Sequence, residues 1–350
     1  MKTFTILSLL ALVGTCAKPK YTERIQNVKD NIQLVDSALV MQFANTITVE
    51  ELKTHLYAFC STEFAGRRVG ESGQKKAANF LRDYYIEEHI PSPFEGDSYF
   101  QFIPGEFLGN NIKNSENVLA IVEGTENPEE IIIISAHLDH LGITKDGRIN
   151  YGADDDGSGT VALMEMAQAF KKAKDEGHGP KRSILFLHLT AEEIGKLGSE
   201  FYALHPVFPL ENTLTNLNID MIGRVDEQQK NNKNYIYLIG SDRLSKELHY
   251  ISEKVNNAYF NINIDYRYNV EGEKNDYYSR SDHYNFAVQD IPVIFYFNGE
   301  HQDYHRPTDT PDKIEFELLQ KRTKLIFATA WQIANQEHRL AIDAENELLK

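Results

Sequence analysis

The chain is 350 residues long, enough for one large domain or two ordinary ones, and its hydrophobic share of 41% can build a core. Its formal net charge of −16 argues against a nucleic-acid partner, because phosphate binding needs clustered Lys and Arg. The two cysteines are Cys16 and Cys60, so any metal centre has to use nitrogen and oxygen ligands, and Cys60 reads as a lone buried thiol.

The first residues read as an export signal. Lys2 supplies a short positive region, and Phe4 to Val13 form an apolar run too short to span a bilayer. Val13-Gly14-Thr15-Cys16 resembles a lipobox, which makes residues 1–16 a signal segment and Cys16 a candidate lipid anchor. Cleavage after Thr15-Cys16-Ala17 is the alternative. The chain is therefore expected outside the cytoplasm, in the periplasm, at the cell envelope or secreted, with no transmembrane helix further along.

Residues 17–60 follow as a helical extension, with Ile25, Val28, Ile32, Val35, Leu52 and Leu56 at helical spacing between Tyr21 and Tyr57. Gly73 to Glu88 reads as an amphipathic helix. Short, unbroken apolar runs come next: Asn117–Val122, Ile131–Ala136, Ile184–Leu189, Leu214–Ile219, Tyr235–Ile239 and Pro292–Phe297. Such runs fit strands buried on both faces. Helical stretches lie between them at Ser158–Lys174 and Ser241–Asn256, and a long one runs from Ile314 to about Leu340. This alternation predicts an α/β fold with a mixed, mainly parallel central sheet flanked by helices. Asp226–Asn234 and Tyr266–Ser281 read as surface loops, and the tyrosines of the second suggest an apolar or aromatic-lined pocket.

Acidic and imidazole residues gather just after those apolar runs. His137 and Asp139 follow Ile131–Ala136, Glu192 and Glu193 follow Ile184–Leu189, Asp220 ends Leu214–Ile219, and His305 lies in the loop after Pro292–Phe297. Ligands of open α/β sheets sit outside the carboxyl ends of the strands, and a charge at the end of a buried strand needs a partner. Asp154-Asp155-Asp156 precedes a helix, but capping and the helix dipole account for one or two aspartates, not three in a row. An EF-hand loop is excluded, since its ligands alternate rather than adjoin. Two divalent cations would neutralise the cluster, with carboxylates suited to a bridge, imidazoles to terminal positions, and a spare glutamate to accepting a proton from water.

Taken together, Ala136-His137-Leu138-Asp139, Gly152-Ala153-Asp154-Asp155-Asp156-Gly157-Ser158-Gly159, Ala191-Glu192-Glu193-Ile194-Gly195, Asn218-Ile219-Asp220-Met221, Ser281-Asp282-His283 and Tyr304-His305-Arg306-Pro307-Thr308-Asp309-Thr310 resemble the M28 metallopeptidases. The blocks occur in order from about Ala65-Gly66-Arg67 to the C-terminal helix, which places a catalytic domain at residues 61–350. The resemblance implies an aminopeptidase with two zinc ions that acts on peptides with a free N-terminus. It assigns one ion to His137 and Asp220, the other to Glu193 and His305, and the bridge to Asp155. It makes Glu192 the general base and has Asp139 orient His137.

Other residues carry weaker assignments. Asp282 and His283 are candidates for supporting the site or for a structural turn, and His301 for the substrate side. Arg224 either pairs with site carboxylates or braces its loop, and His140 reads as structural. Gly157-Ser158-Gly159-Thr160-Val161-Ala162 spells a dinucleotide fingerprint but follows a polar loop instead of a strand. A single-zinc glutaminyl cyclase, which converts N-terminal glutamine to pyroglutamate, and a non-catalytic binding protein on the same scaffold are the competing readings.

Overall fold

The computed structural model describes residues 20–109 and 111–349, so residues 1–16, read as an export signal, and the candidate anchor Cys16 lie outside the described residues. Its helices are α1 (Tyr21–Asn31), α2 (Ser37–Ala44), α3 (Val49–Phe59), α4 (Ser72–Glu87), α5 (Gly105–Leu108), α6 (Gly159–Asp175), α7 (Leu197–Leu204), α8 (Lys246–Tyr259), α9 (Tyr277–Arg280), α10 (His283–Ala287) and α11 (Phe316–Asn335). Its strands are β1 (Phe100–Ile103), β2 (Ser115–Val122), β3 (Asn127–His137), β4 (Arg182–Leu189), β5 (Thr213–Ile219), β6 (Tyr235–Ile239), β7 (Asn263–Asp265) and β8 (Val293–Phe297).

All eight strands join one mixed sheet in the order β1-β2-β4-β3-β5-β8-β6-β7. The central neighbours β4, β3, β5 and β8 are parallel, as are β6 and β7. β1 with β2, β2 with β4, and β6 with β8 pair antiparallel. Every residue of β2, β4, β5, β6 and β8 is buried, as unbroken apolar runs require when helices cover both faces. In β3 the side chains alternate between two cores. Ile132, Ile134 and Ala136 pack with α6 and α11, while Ile131 and Ile133 pack with Tyr202 of α7 and Phe286 of α10.

The stretch from Tyr21 to Tyr57 is divided among three helices because polar side chains cap new starts. Asp36 accepts from the amides of Ala38 and Leu39, and Thr48 from that of Glu51. Val40 and Phe43 of α2 and Leu52, Leu56 and Phe59 of α3 enter the same core as α6 and α11, each worth roughly 1.5–3 kcal/mol of burial. Phe43 stacks on Trp331 of α11 with ring centroids 5.6 Å apart. Ser245 caps α8 through the amide of Leu248, so that helix starts later than the spacing alone suggests. Among the described residues no helix is long and apolar enough to cross a membrane.

Because β4, β3, β5 and β8 run the same way, their carboxyl ends meet at one rim of the sheet. His137 closes β3 opposite Leu189 of β4, and Asp220 follows β5 directly.

Candidate metal centre

Two groups of donor atoms converge at that rim. His137 Nε2 lies 3.2 Å from Asp155 Oδ1 and 3.6 Å from Asp220 Oδ1. His305 Nε2 lies 3.2 Å from both Asp155 Oδ2 and Glu193 Oε2. Asp155 therefore offers one oxygen to each group. His140 is a third imidazole here, with Nδ1 2.6 Å from Glu193 Oε1 and 3.7 Å from Asp155 Oδ2. Donor atoms of His137, Asp155 and Asp220 all lie within 4.8 Å of one another, as do those of His140, Asp155 and Glu193.

The three adjoining aspartates have different work. Asp154 accepts from the amide of Gly223 (2.6 Å) and from Asn298 Nδ2 (3.0 Å). Asp156 accepts from the amides of His137 (3.2 Å), Gly159 (3.0 Å) and Met221 (3.1 Å). Both outer carboxylates are thus spent on tying β3, β5 and their loops together, and the middle one is left to face the rim. The turn enters through Gly152 at φ +55°, where a Cβ would come within 2.3 Å of Asp155 O, so only glycine fits. Asp309 Oδ2 accepts from the amides of Asp154 (3.0 Å) and Asp155 (3.2 Å) and holds the turn from the other side.

Each remaining donor has its own support. Ser281 Oγ donates to Asp220 Oδ2 at 2.6 Å. The backbone carbonyl of Asp139 faces His137 Nδ1 at 3.1 Å, whereas the Asp139 carboxylate is 3.9 Å away. A ring nitrogen facing a carbonyl must donate, which leaves His137 Nε2 free to bind a cation. The carboxylate of Asp139 instead accepts from the amide of Glu192 at 3.1 Å and so fixes the Glu192-Glu193 pair. Arg224 donates to Asp303 (2.9 Å) and lies 3.7 Å from Asp309, so it braces the loop that carries His305. Buried Arg67 donates to the carbonyls of Leu138 (2.9 Å), Tyr151 (2.7 Å) and Gly152 (2.9 Å), closing the loop between β3 and the aspartate turn.

The electrostatics ask for positive charge. Burial works against a charged His305 ring, yet the facing carboxylates of Asp155 and Glu193 overcome it and lift its pKa to about 10. Burial also opposes ionisation of Asp155, but the imidazoles of His137, His140 and His305 hold its carboxyl well below the usual range. Glu192 behaves differently. Burial raises its carboxyl well above the ordinary value, His137 opposes this, and Asp220, Asp282 and Glu193 add to it. Burial lifts Asp139 to about 7. His137 Nε2 and Asp155 Oδ2 are buried without a hydrogen-bond partner among the described residues. An all-nitrogen-and-oxygen donor set with orphaned atoms aimed inward fits a divalent cation such as zinc.

Three sequence candidates sit elsewhere. His301 does not reach the substrate side: its ring is buried, with Nε2 3.1 Å from Asp154 Oδ2 and Nδ1 accepting from the amide of Asp303. His283 is a core residue stacked on Phe295 at 4.8 Å, and burial lowers its pKa to about 3. Asp282 is buried against Ser199 Oγ and acts on Glu192 only through its charge. Conversely, Ser281 and Asp309 stand inside motif blocks that give them no individual role. Nothing in their spacing announces the bonds they make, because Asp220 and Asp155 are distant in sequence.

A cavity of about 180 Å³ opens over the donors. Asp155, Glu192, Glu193, Asp220 and His305 line its floor side, and Met221, Tyr277, Phe295, Phe297 and Tyr304 supply an apolar wall. Of the loop tyrosines, Tyr277 lines this cavity, while Tyr268 packs between Tyr237 and Tyr277. The family model described as Peptidase family M28 matches residues 117–330, more than half of the chain. The chain belongs to peptidase family M28. Among curated relatives, this M28 chain is similar to aminopeptidase YwaD of Bacillus subtilis, with 26% identity over 236 residues, 65% of this chain and 46% of that protein. It thus spans about half the length of that relative. Of solved structures, the LapA aminopeptidase of Legionella pneumophila superposes with a TM-score of 0.68 at 21% identity, covering 88% of this chain and 77% of that one. A glutaminyl cyclase of Bacteroides thetaiotaomicron superposes with a TM-score of 0.61 at 16% identity, covering 83% and 99%. At these identities the likeness establishes a common fold.

Proposed function

We propose that this chain is a zinc aminopeptidase that hydrolyses the N-terminal peptide bond of peptides with a free N-terminus. One observation carries the reading: a donor group around His137 and Asp220 and another around Glu193 and His305 share the two oxygens of Asp155. His137, Asp155 and Asp220 would hold one zinc ion, and Asp155, Glu193 and His305 a second. When bound, zinc polarises a carbonyl oxygen and lowers the pKa of water to about 7.

Glu192 lines the cavity beside both groups and is the residue assigned to proton transfer. Its carboxylate takes a proton from the attacking water and returns it to the leaving amine, the work of a general base held beside the reacting water. The carboxylates at the rim draw in the substrate's α-ammonium group. The wall of Met221, Tyr277, Phe295 and Phe297 receives the first side chain and favours leucine, methionine or phenylalanine there. With residues 1–16 read as an export signal, these peptides would be met outside the cytoplasm.

The test is a panel of aminoacyl-p-nitroanilides assayed with and without chelator, alongside metal counting on the purified protein. Chelator-sensitive release from apolar aminoacyl substrates and about two zinc ions per chain are expected; a metal-replete preparation holding no transition metal would remove the reading. A glutaminyl cyclase shares the fold, so a Gln-initiated peptide separates the chemistries. Free glutamine is the expected product, and a pyroglutamyl peptide would replace hydrolysis by cyclisation.

A further inference from the structure

His140 stands on the loop after β3, and its ring is buried to 1% exposure. Its amide donates to Arg67 O at 3.2 Å. Its ring packs so closely on Gly152 that a Cβ there would lie 2.6 Å from His140 Cγ. The ring therefore has little freedom to turn. Nδ1 is 2.6 Å from Glu193 Oε1, while Nε2 has no hydrogen-bond partner among the described residues. A ring nitrogen at that distance from a carboxylate oxygen is the donor. Glu193 then has one oxygen occupied and the other, Oε2, 3.2 Å from His305 Nε2.

We propose that His140 is a positioning residue: by holding Oε1 it turns Glu193 so that Oε2 alone is presented beside Asp155 and His305. This rests on the zinc reading above. The last torsion of a glutamate side chain is broad and roughly two-fold, so nothing intrinsic to Glu193 selects that orientation. Losing the partner of a ligating carboxylate typically costs 10–100-fold in metal affinity. The effect falls mainly on one ion, because His137 and Asp220 are held by Asp139 O and Ser281, and the shared ligand near His140 is Asp155, whose Oδ2 on the His305 side lies 3.7 Å from Nδ1.

Zinc titration by calorimetry and chelator competition on wild type, His140→Ala, His140→Asn and His140→Gln tests this, with circular dichroism confirming the fold. An Asn amide nitrogen can reach the place of Nδ1, whereas that of Gln reaches the place of Nε2. Two ions are expected on wild type. His140→Ala and His140→Gln should keep the first and bind the second about 10–100-fold more weakly, and His140→Asn should restore it. Wild-type affinity for both ions in His140→Ala overturns the proposal and leaves the zinc reading intact, and so does an Asn variant as weak as Gln. Wild type that binds no zinc overturns both. If the Ala variant does not fold, the comparison of Asn with Gln decides.

Discussion

Ser281 Oγ donates a 2.6 Å hydrogen bond to Asp220 Oδ2 and accepts one from Asn218 Nδ2 at 2.9 Å. The hydroxyl thereby fixes Asp220 with Oδ1 towards His137. Replacing Ser281 by Ala removes the donor and leaves the backbone untouched. Zinc affinity at the His137 and Asp220 position is expected to fall about 10–100-fold, with a stability loss of about 1 kcal/mol. Chelator competition and a denaturant titration measure the two separately, and unchanged zinc affinity would contradict the role given to Ser281.

Glu192 lines the cavity but makes no close contact with the imidazoles that define the donor groups. A Glu192→Gln variant should keep its metal and lose roughly 10²–10⁴-fold in kcat. Near-full turnover with metal bound would take the base assignment away from it.

Removing the metal should also be visible in stability. Asp155, Glu193 and Asp220 crowd one rim, and a cation bound only by the folded chain adds about 2.7 kcal/mol at a free concentration 100-fold above its Kd. Chelated protein is expected to show a lower Tm that zinc restores in a concentration-dependent way. A Tm indifferent to chelator and zinc would argue that the rim does not bind it.

A separate pH effect comes from Glu165 on α6. Its carboxylate is fully buried, neither oxygen has a hydrogen-bond partner among the described residues, and His55 Nε2 is 3.4 Å away. Burial, reinforced by Glu51 and Glu88, pushes its pKa up to about 8 from an ordinary 4.5. The folded chain therefore keeps this proton longer than the unfolded one. The stability of the neutral form is fully present below the unfolded pKa and is lost as pH rises towards the folded one. The loss is on the order of 1.4 kcal/mol for each pH unit climbed between those two values. Thermal melts from pH 5 to 8 should show a falling Tm in wild type and a flatter profile, with a higher Tm at pH 8, in Glu165→Gln. Parallel profiles for the two proteins would rule this out.

The sheet is legible in the sequence where its strands are long and covered on both faces. β1 and β7 are not, since β1 is short with mixed burial and β7 spans three partly exposed residues, so neither forms an unbroken apolar run. His137, Glu192, Glu193 and Asp220 stand out in the sequence because each lies at or within four residues of the end of an apolar run. The choice among Asp154, Asp155 and Asp156 can come only from the resemblance, because the partners that occupy the outer two, such as Gly223, Asn298 and Met221, lie far along the chain. His140 reads as structural for the same reason: a single imidazole on a loop has no periodicity, and its partner Glu193 is 53 positions away. His283 and His301 draw attention by lying inside or beside motif blocks, yet the ring of His283 fills the core and that of His301 pairs with Asp154.

The ladder between β3 and β4 sets His137 against Leu189, and that between β3 and β5 sets Ser135 against Asn218. Parallel strands advance about 3.3 Å per residue, close to the 3.6 Å gap between His137 Nε2 at the end of β3 and Asp220 Oδ1 after β5. A slip of a single rung would carry a donor clean past its counterpart. Zinc occupancy consequently doubles as a gauge of strand alignment, and damage far from the rim would announce itself as lost metal while the rest of the chain still stands.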